Sequence, residues 1–343
     1  FSMVNFRGSL ITDLVKLGVH VYALAPDYSD ELRREVRELG AEPVDFTLSR
    51  AGLNPVSDLR GLISLVRALR RLRPDAVLTY FIKPVIYGSV AAAIARVRYR
   101  YAMIEGLGYI FMGDPTSRTR SRAAVCWVAT MMYRIALSLN RKVFFLNEDD
   151  AQRFRGQGVV TAEQVVMLDG IGVDLADYRP RSDFCPPVTF VLVARMLRLK
   201  GVYDFVDAAR IVRATHPGTR FLLVGGVDAN PSSVPESDLR RWDAEGLVTW
   251  TGHVPDVRLW LAQSSVFVLP SFYGEGKPRS IQEAMACGLP IITTDSNGNR
   301  QITPYQKLNL TAEKSVSLSF EKQKPRIKFN AGGINTSVKL RGD

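Results

Sequence analysis

Pro270-Ser-Phe-Tyr-Gly-Glu275-Gly-Lys-Pro278-Arg-Ser-Ile-Gln-Glu283-Ala-Met-Ala-Cys-Gly288-Leu-Pro-Ile-Ile-Thr-Thr294 decides the fold of this 343-residue chain. The apolar run Val266–Pro270 before it reads as a buried strand that ends at the proline. A glycine-flanked loop follows, and a helix is expected over Ser280–Cys287, starting near Pro278, whose ring suits a first turn where no N–H is needed. Loop and helix N-terminus would present free N–H groups and the positive dipole end, a setting suited to a diphosphate. Glu275 lies on the loop and Glu283 one or two turns into the helix, so both carboxylates can face one ligand at different depths. Carboxylates accept well from sugar hydroxyls, so one ribose contact and one donor-sugar contact is the natural division.

Outward from this stretch, strand-like runs alternate with helical ones, which argues for parallel α/β architecture. Further strands are expected at Val188–Ala194, Arg220–Val224, Leu247–Thr251 and Pro290–Thr294, with helices at Val202–Thr215 and Val254–Ala262. The first half offers strands at Val19–Ala25, Asp75–Phe81, Tyr99–Ile104 and Lys142–Leu146. Helical patterns between them cover Ser29–Gly40, Asp58–Arg73 and Pro84–Arg96. A Pro-rich polar stretch at 178–187 reads as a linker. The expectation is two Rossmann-like domains, 1–177 and 188–300, facing a central cleft that holds the ligand. Residues 301–343 are rich in Lys, Asn, Ser and Thr and show no strand–helix alternation. The terminal Arg341-Gly342-Asp343 and the acceptor patterns at Asn309 and Asn335 are short enough to arise by chance.

A chain that is 46% hydrophobic and 23% charged is not disordered. Three widely spaced cysteines (Cys126, Cys185, Cys287) exclude a disulfide framework and a Cys-based zinc site, and three histidines argue against a His-rich metal centre. A reducing cytoplasmic setting fits best. The net charge of +11 is uneven: residues 51–142 hold 15 Lys or Arg against 4 Asp or Glu. Such a basic half suggests a membrane surface, a lipid diphosphate or nucleic acid, with a solvated arginine-rich helix face as the plainer reading. No surface-aromatic pattern of a known nucleic-acid fold accompanies it, so nucleic acid is not expected as a partner. The longest apolar run, Ala123–Leu139, is broken by Arg134 and falls short of the roughly 20 residues that a span takes. A buried core helix is its first reading and a helix in the membrane interface its second. No signal-peptide pattern opens the chain, and its natural start is expected to be missing.

Here a resemblance becomes specific. The Glu275-x7-Glu283 spacing, the Pro-Ser strand end and the Glu-Ala-Met-Ala-x-Gly-x-Pro helix resemble glycosyltransferase family 4. The resemblance implies a GT-B fold and retaining transfer of a sugar from a nucleotide-diphosphate donor, expected to be UDP-linked, with no cofactor and no metal. Phe190-Val-Leu-Val-Ala-Arg195-Met-Leu-Arg-Leu-Lys200-Gly201 agrees with it. By this resemblance Arg195 and Lys200 would neutralise the donor diphosphate, Glu283 would meet the ribose and Glu275 the transferred sugar. Gly276, Lys277, Pro278 and Arg279 would support phosphates or sugar through their backbone. Phe221-Leu-Leu-Val-Gly225-Gly226 resembles the family's strand and glycine turn, and Gly252-His253-Val254 the loop that meets the base. His253 reads equally as an ordinary loop histidine. Gly225-Gly226 is no G-x-G-x-x-G fingerprint, which disfavours a nicotinamide dehydrogenase.

In the first half, Asn5-Phe-Arg7-Gly8 before a helix resembles the family's first glycine loop. Tyr80-Phe-Ile-Lys83-Pro84, Glu105-Gly106-Leu-Gly108-Tyr109, Asn147-Glu-Asp-Asp150 and Gly170-Ile-Gly-Val-Asp174 resemble a subgroup that extends lipid-linked oligosaccharides or capsule precursors. In that reading Arg7 and Lys83 would meet the acceptor diphosphate, with Gly8, Gly106 and Gly108 beside it, and the arginine-rich face would meet anionic lipid. The enzyme would then work in the cytoplasm, peripheral on the inner face of the cell membrane. The resemblance runs from about Asn5 to Arg300. Only Phe1–Val4 stand where the family has a strand, and residues 301–343 match none of its closing segments, as a frameshifted or truncated gene would produce. Two alternatives stand beside transfer: a nucleotide-sugar epimerase on a similar scaffold, and an inactive basic binding protein.

Overall fold

The computed structural model describes residues 2–26, 28–48, 54–106, 120–178, 180, 186–228, 230, 232–272, 275–294 and 297–300, together with strands at 318–321, 324–331 and 334–339. Two compact units result, Phe1–Ile171 and Gly172–Asp343. Tyr178, at the head of the expected linker, is buried in the core of the second unit.

The first unit opens on a helix, α1 (Ser2–Lys16), where a glycine loop at Asn5–Gly8 is expected. Met3, Arg7 and Ile11 recur every four residues and all three are buried, so one inward face sets a helical register through Gly8. Strand β1 (Tyr22–Ala25) pairs in parallel with β2 (Glu42–Asp45), across α2 (Asp30–Glu38), whose N-cap Ser29 accepts from the Leu32 N–H. Helix α3 (Pro55–Leu72) starts on Asn54, whose side chain accepts from the Val56 and Ser57 N–H groups, and Pro55 fills its first turn.

Four parallel strands then form a sheet in the order β3 (Ala76–Tyr80), β4 (Tyr99–Ile104), β5 (Lys142–Phe145), β6 (Val165–Met167). The helix expected from Pro84 opens with a wide π turn, Pro84–Gly88, before α4 (Ser89–Ile94). Helix α5 (Arg120–Ser138) carries the apolar run, with one face in the core as its first reading expects. It buries Ala129, Tyr133, Ala136 and Leu137, while Trp127 and Ile135 are 65% and 61% exposed. Helix α6 (Glu148–Gly156) follows β5, with Asn147 as its N-cap.

In the second unit the strands β7 (Thr189–Val193), β8 (Arg220–Val224), β9 (Thr249–Trp250), β10 (Val266–Leu269) and β11 (Ile291–Thr293) form one parallel sheet, ordered β11-β10-β7-β8-β9. Helices α7 (Val202–Thr215), α8 (Glu236–Ala244), α9 (Arg258–Ala262) and α10 (Arg279–Ala286) connect them. Both sheet faces are covered. Val191 and Val193 of β7 pack with Phe267, Leu269, Ile281 and Ala284, while Leu192 between them packs with Leu223, Phe205 and Trp242. That alternation is the period of two that a strand imposes, and each such large side chain contributes roughly 1.5–3 kcal/mol on burial. A four-residue helix, α11 (Asn297–Arg300), follows β11. The 301–343 segment contains β12 (Leu318–Glu321), β13 (Lys324–Ala331) and β14 (Ile334–Lys339), paired antiparallel in that order.

Candidate active site

The order β9-β8-β7-β10-β11 is a doubly wound sheet whose chain reverses direction between β7 and β10. Loops leaving neighbouring strands at such a switch point diverge, and ligands of open α/β sheets bind in the crevice they leave. Here the loops after β7 and β10 carry the expected residues. Lys200 and Glu275 form an ion pair with both side chains almost wholly buried. Ser271 lies with its Oγ 3.1 Å from Glu275 Oε1 and 3.2 Å from the Leu199 carbonyl, and the Phe272 N–H donates to that carbonyl at 2.9 Å. Gly201 closes the Lys200 turn at φ 74°, where a Cβ would collide with the Pro270 carbonyl, so glycine is required on both counts. Gly298 of α11 lies so close to the Glu275 and Gly276 carbonyls that it too has no room for a Cβ, and α11 therefore backs the Glu275 loop directly.

Pro278 stands at the N-cap of α10, one position ahead of the first turn expected for it. Gly276 and Pro278 are buried, Lys277 is half-buried, and its carbonyl lies 3.5 Å from Gln282 Nε2. Glu283, one turn into α10, accepts from Arg279 Nε at 2.9 Å and from the Tyr178 hydroxyl at 3.0 Å. Burial first, then the Glu283 carboxylate, pushes the Tyr178 phenol well above its ordinary range, so it remains a donor.

Arg195 follows β7 and pairs with Asp228 at 2.8 Å. Burial opposes the Asp228 charge, but the Arg195 guanidinium and the Asn230 N–H outweigh it and hold the carboxyl below its ordinary value. The loops after β8 and β9 are tied together, since Gly225 N–H donates to the Gly252 carbonyl at 3.0 Å and the Trp250 indole to the Gly225 carbonyl at 2.9 Å. His253 is exposed and flanks Gly226. The second unit thus gathers Lys200 with Glu275, Arg279 with Glu283, and Gly225 with Gly252. Sequence reasoning missed Ser271, Tyr178, Asp228 and Gly298, whose partners lie 2 to 105 residues away. The Ser of the Pro270-Ser271 strand end was the one visible signal among them.

In the first unit Arg7 is 4% exposed, paired with Glu105, and stacked with its guanidinium carbon 4.3 Å from the Tyr80 ring centre. Gly106 follows Glu105 at φ 147°, and Gly8 lies against Leu39. Lys83 is held apart from this group by Asp58, at 2.8 Å, and Tyr87 donates to the other Asp58 oxygen at 2.9 Å. Burial first, then Asp58, pushes the Tyr87 phenol up to about 12. Phe81, two residues before Lys83, is exposed with a left-handed backbone at φ 66°, a strain that concentrates at functional sites. Gly108 lies outside the described residues.

Two Rossmann-like units, the second with paired carboxylates and cations at its switch point, define the GT-B class of glycosyltransferase folds. A glycosyltransferase of Rickettsia africae shares the fold at a TM-score of 0.63 and 16% identity, over 89% of this chain and 83% of that one. Anabaena HepE, solved in complex with UDP-glucose, does so at 0.62 and 18%, over 85% and 77%. Residues 3–169 match the family described as glycosyl transferase 4-like domain, and residues 187–318 that described as glycosyl transferases group 1, a match running beyond Arg300. The N,N'-diacetylbacillosaminyl-diphospho-undecaprenol alpha-1,3-N-acetylgalactosaminyltransferase of Campylobacter jejuni is 30% identical over 314 residues, 87% of this chain and 78% of its own. The UDP-Gal:alpha-D-GlcNAc-diphosphoundecaprenol alpha-1,3-galactosyltransferase of Escherichia coli is 26% identical over 268 residues, 74% of this chain and 66% of its own. The chain belongs to this family: it is a glycosyltransferase of the group 1, GT4-like type. Among its described residues no helix is long and apolar enough to cross a membrane.

Proposed function

We propose that this protein transfers a sugar, with retention of configuration, from a UDP-linked donor to a saccharide carried on a lipid diphosphate. The observation that carries the donor half is the meeting of Lys200, Glu275 and Ser271 where the loops after β7 and β10 diverge. The lipid-diphosphate acceptor is supported by the names of the two relatives above, both of which act on diphospho-undecaprenol saccharides.

In this reading the donor diphosphate displaces carboxylates from two cations. Lys200 leaves Glu275 and Arg195 leaves Asp228 to neutralise the phosphates, helped by the N–H groups of the Gly276–Arg279 backbone at the α10 N-terminus. Glu275, released, accepts from hydroxyls of the transferred sugar, and Glu283 from the ribose. Gly225, Gly252 and His253 border the base. The bond from the anomeric carbon to the diphosphate oxygen breaks as the acceptor hydroxyl bonds to that carbon on the same face, and the hydroxyl proton passes to the departing phosphate oxygen. Positive charge at the leaving group and fixed orientation supply the acceleration.

The acceptor diphosphate falls to the first unit. In this reading Lys83 leaves Asp58 to meet it, while Arg7, buried on Glu105 and Tyr80, braces the Glu105–Gly106 turn. Val56, Leu59 and Ile63 form an exposed stripe on α3 that continues into Arg60, Arg67, Arg70 and Arg71, and Trp127, Val128 and Ile135 form another on α5. Apolar insertion beside arginines suits an anionic bilayer, which would make the enzyme peripheral on the cytoplasmic face.

Incubation with UDP-, GDP- and ADP-linked sugars and a polyprenyl-diphosphate saccharide tests the reading. Transfer from a UDP-sugar with retained anomeric configuration is expected. An inverted product, or transfer that survives Glu275→Ala undiminished, would overturn it.

A further inference from the structure

Glu283 is restrained on one side only. Both of its hydrogen bonds, from Tyr178 Oη and Arg279 Nε, fall on the same oxygen, Oε1. Among the described residues nothing donates to Oε2, although the Glu283 side chain is only 12% exposed. An oxygen that already accepts two donors has its lone pairs occupied, so any further donor must go to Oε2. The two donors also have fixed origins. The Tyr178 ring is packed in the core with Val191, Val193 and Leu269, and Arg279 opens the same helix one turn before Glu283. A carboxylate left to rotate would offer either oxygen in many orientations, whereas this one presents a single acceptor at one height above the helix.

We propose that Tyr178 is a positioning residue for the donor site: together with Arg279 it saturates Oε1 of Glu283 and leaves Oε2 as the one oxygen that reads the ribose hydroxyls of the donor nucleotide. This rests on the reading that Glu283 meets the ribose. Its consequence is specificity, because a carboxylate whose open oxygen, among the described residues, is charged and preoriented loses that interaction when the hydroxyl facing it is removed.

The test is titration calorimetry with whichever of UDP, GDP and ADP binds the intact chain most tightly, and with its 2′-deoxy and 3′-deoxy forms. The unsubstituted protein should prefer the ribonucleotide over the weaker-binding deoxy form by about tenfold or more, the loss expected for a hydrogen bond to a charged group. Tyr178→Phe keeps the ring in the core and should fold normally, yet lose roughly threefold to tenfold of that preference. Arg279→Gln, which removes the other donor, should lower the same ratio and serves if Tyr178→Phe does not fold. In a Glu283→Gln background, Tyr178→Phe should leave the ratio unchanged. Full preference retained in Tyr178→Phe, or in Arg279→Gln where that variant serves in its place, overturns the positioning role while leaving Glu283 at the ribose. No preference in the unsubstituted protein, or no binding of any of the three nucleotides, overturns the ribose reading and this inference with it.

Discussion

Lys200 and Glu275, 75 residues apart, meet in an ion pair that joins the loop after β7 to the loop after β10. One cation and one carboxylate thereby tie the two loops at the switch point of the sheet, and in the proposed function the same two groups divide between phosphate and sugar.

Removing one partner of this pair takes away the counter-charge of the other, where both side chains are almost wholly buried. Lys200→Ala should destabilise the protein by up to about 3–5 kcal/mol, read by urea unfolding. The double variant Lys200→Ala/Glu275→Ala should recover much of that stability and none of the transfer activity. A double variant as unstable as the single one would show that the pair is not what the lysine contributes.

Gly201 gives a second stability test. At φ 74°, with the Pro270 carbonyl where a Cβ would stand, Gly201→Ala meets both a backbone penalty of about 1–2 kcal/mol and a collision that must shift the Lys200 turn. Nucleotide affinity should therefore fall more than the melting temperature alone would suggest. Unchanged affinity in the variant would place the Lys200 turn away from the donor.

Asp150 makes stability depend on pH. It is buried under Asn147, its Oδ1 has no hydrogen-bond partner among the described residues, and burial raises its carboxyl to about 6. An unfolded aspartate titrates near 3.9, so between about pH 4 and 6 the folded protein holds a proton that the unfolded chain releases. Stability contributed by this group is thus present at low pH and lost as pH rises through about 6, by roughly 3 kcal/mol in all. Asp150→Asn should raise the unfolding free energy at pH 7.5 and flatten this part of the pH profile; a variant less stable than the parent at pH 7.5 would contradict the assignment.

Trp127→Glu and Ile135→Glu change two exposed side chains on α5 without touching its buried face. Both should reduce co-sedimentation with phosphatidylglycerol vesicles severalfold while nucleotide affinity stays as it was. Equal binding to neutral and anionic vesicles, unaffected by either change, would remove the membrane face from the account.

The second unit was readable from the sequence because its signals are local and dense. β7, β8 and β10 each carry four apolar residues in a row, Phe190–Val193, Phe221–Val224 and Val266–Leu269, and Glu275 and Glu283 fall on loop and helix as the pattern requires. Short elements gave less. β2 is Glu-Pro-Val-Asp and β6 Val-Val-Met, too brief for any period to stand out. Asn5–Gly8 reads as a loop only through its resemblance to the family's first glycine loop, and the burial of Arg7 on Glu105 that helps make it a helix involves a residue 98 positions away. In sequence Tyr178 reads with the prolines that follow it, since nothing near it marks a partner at Glu283. Contacts of that range are a product of the sheet order and are not written in any window of residues.

The central claim is that Glu283 and the Lys200–Glu275 pair bind a nucleotide diphosphate in the second unit. Thermal unfolding of the whole chain with and without UDP, repeated for Glu283→Ala, tests it most directly. At about a hundred times its dissociation constant, UDP should stabilise the fold by roughly 2.7 kcal/mol, and the variant should lose most of that gain. A gain of equal size in Glu283→Ala, or none in the unsubstituted protein with UDP, GDP or ADP, would contradict the claim.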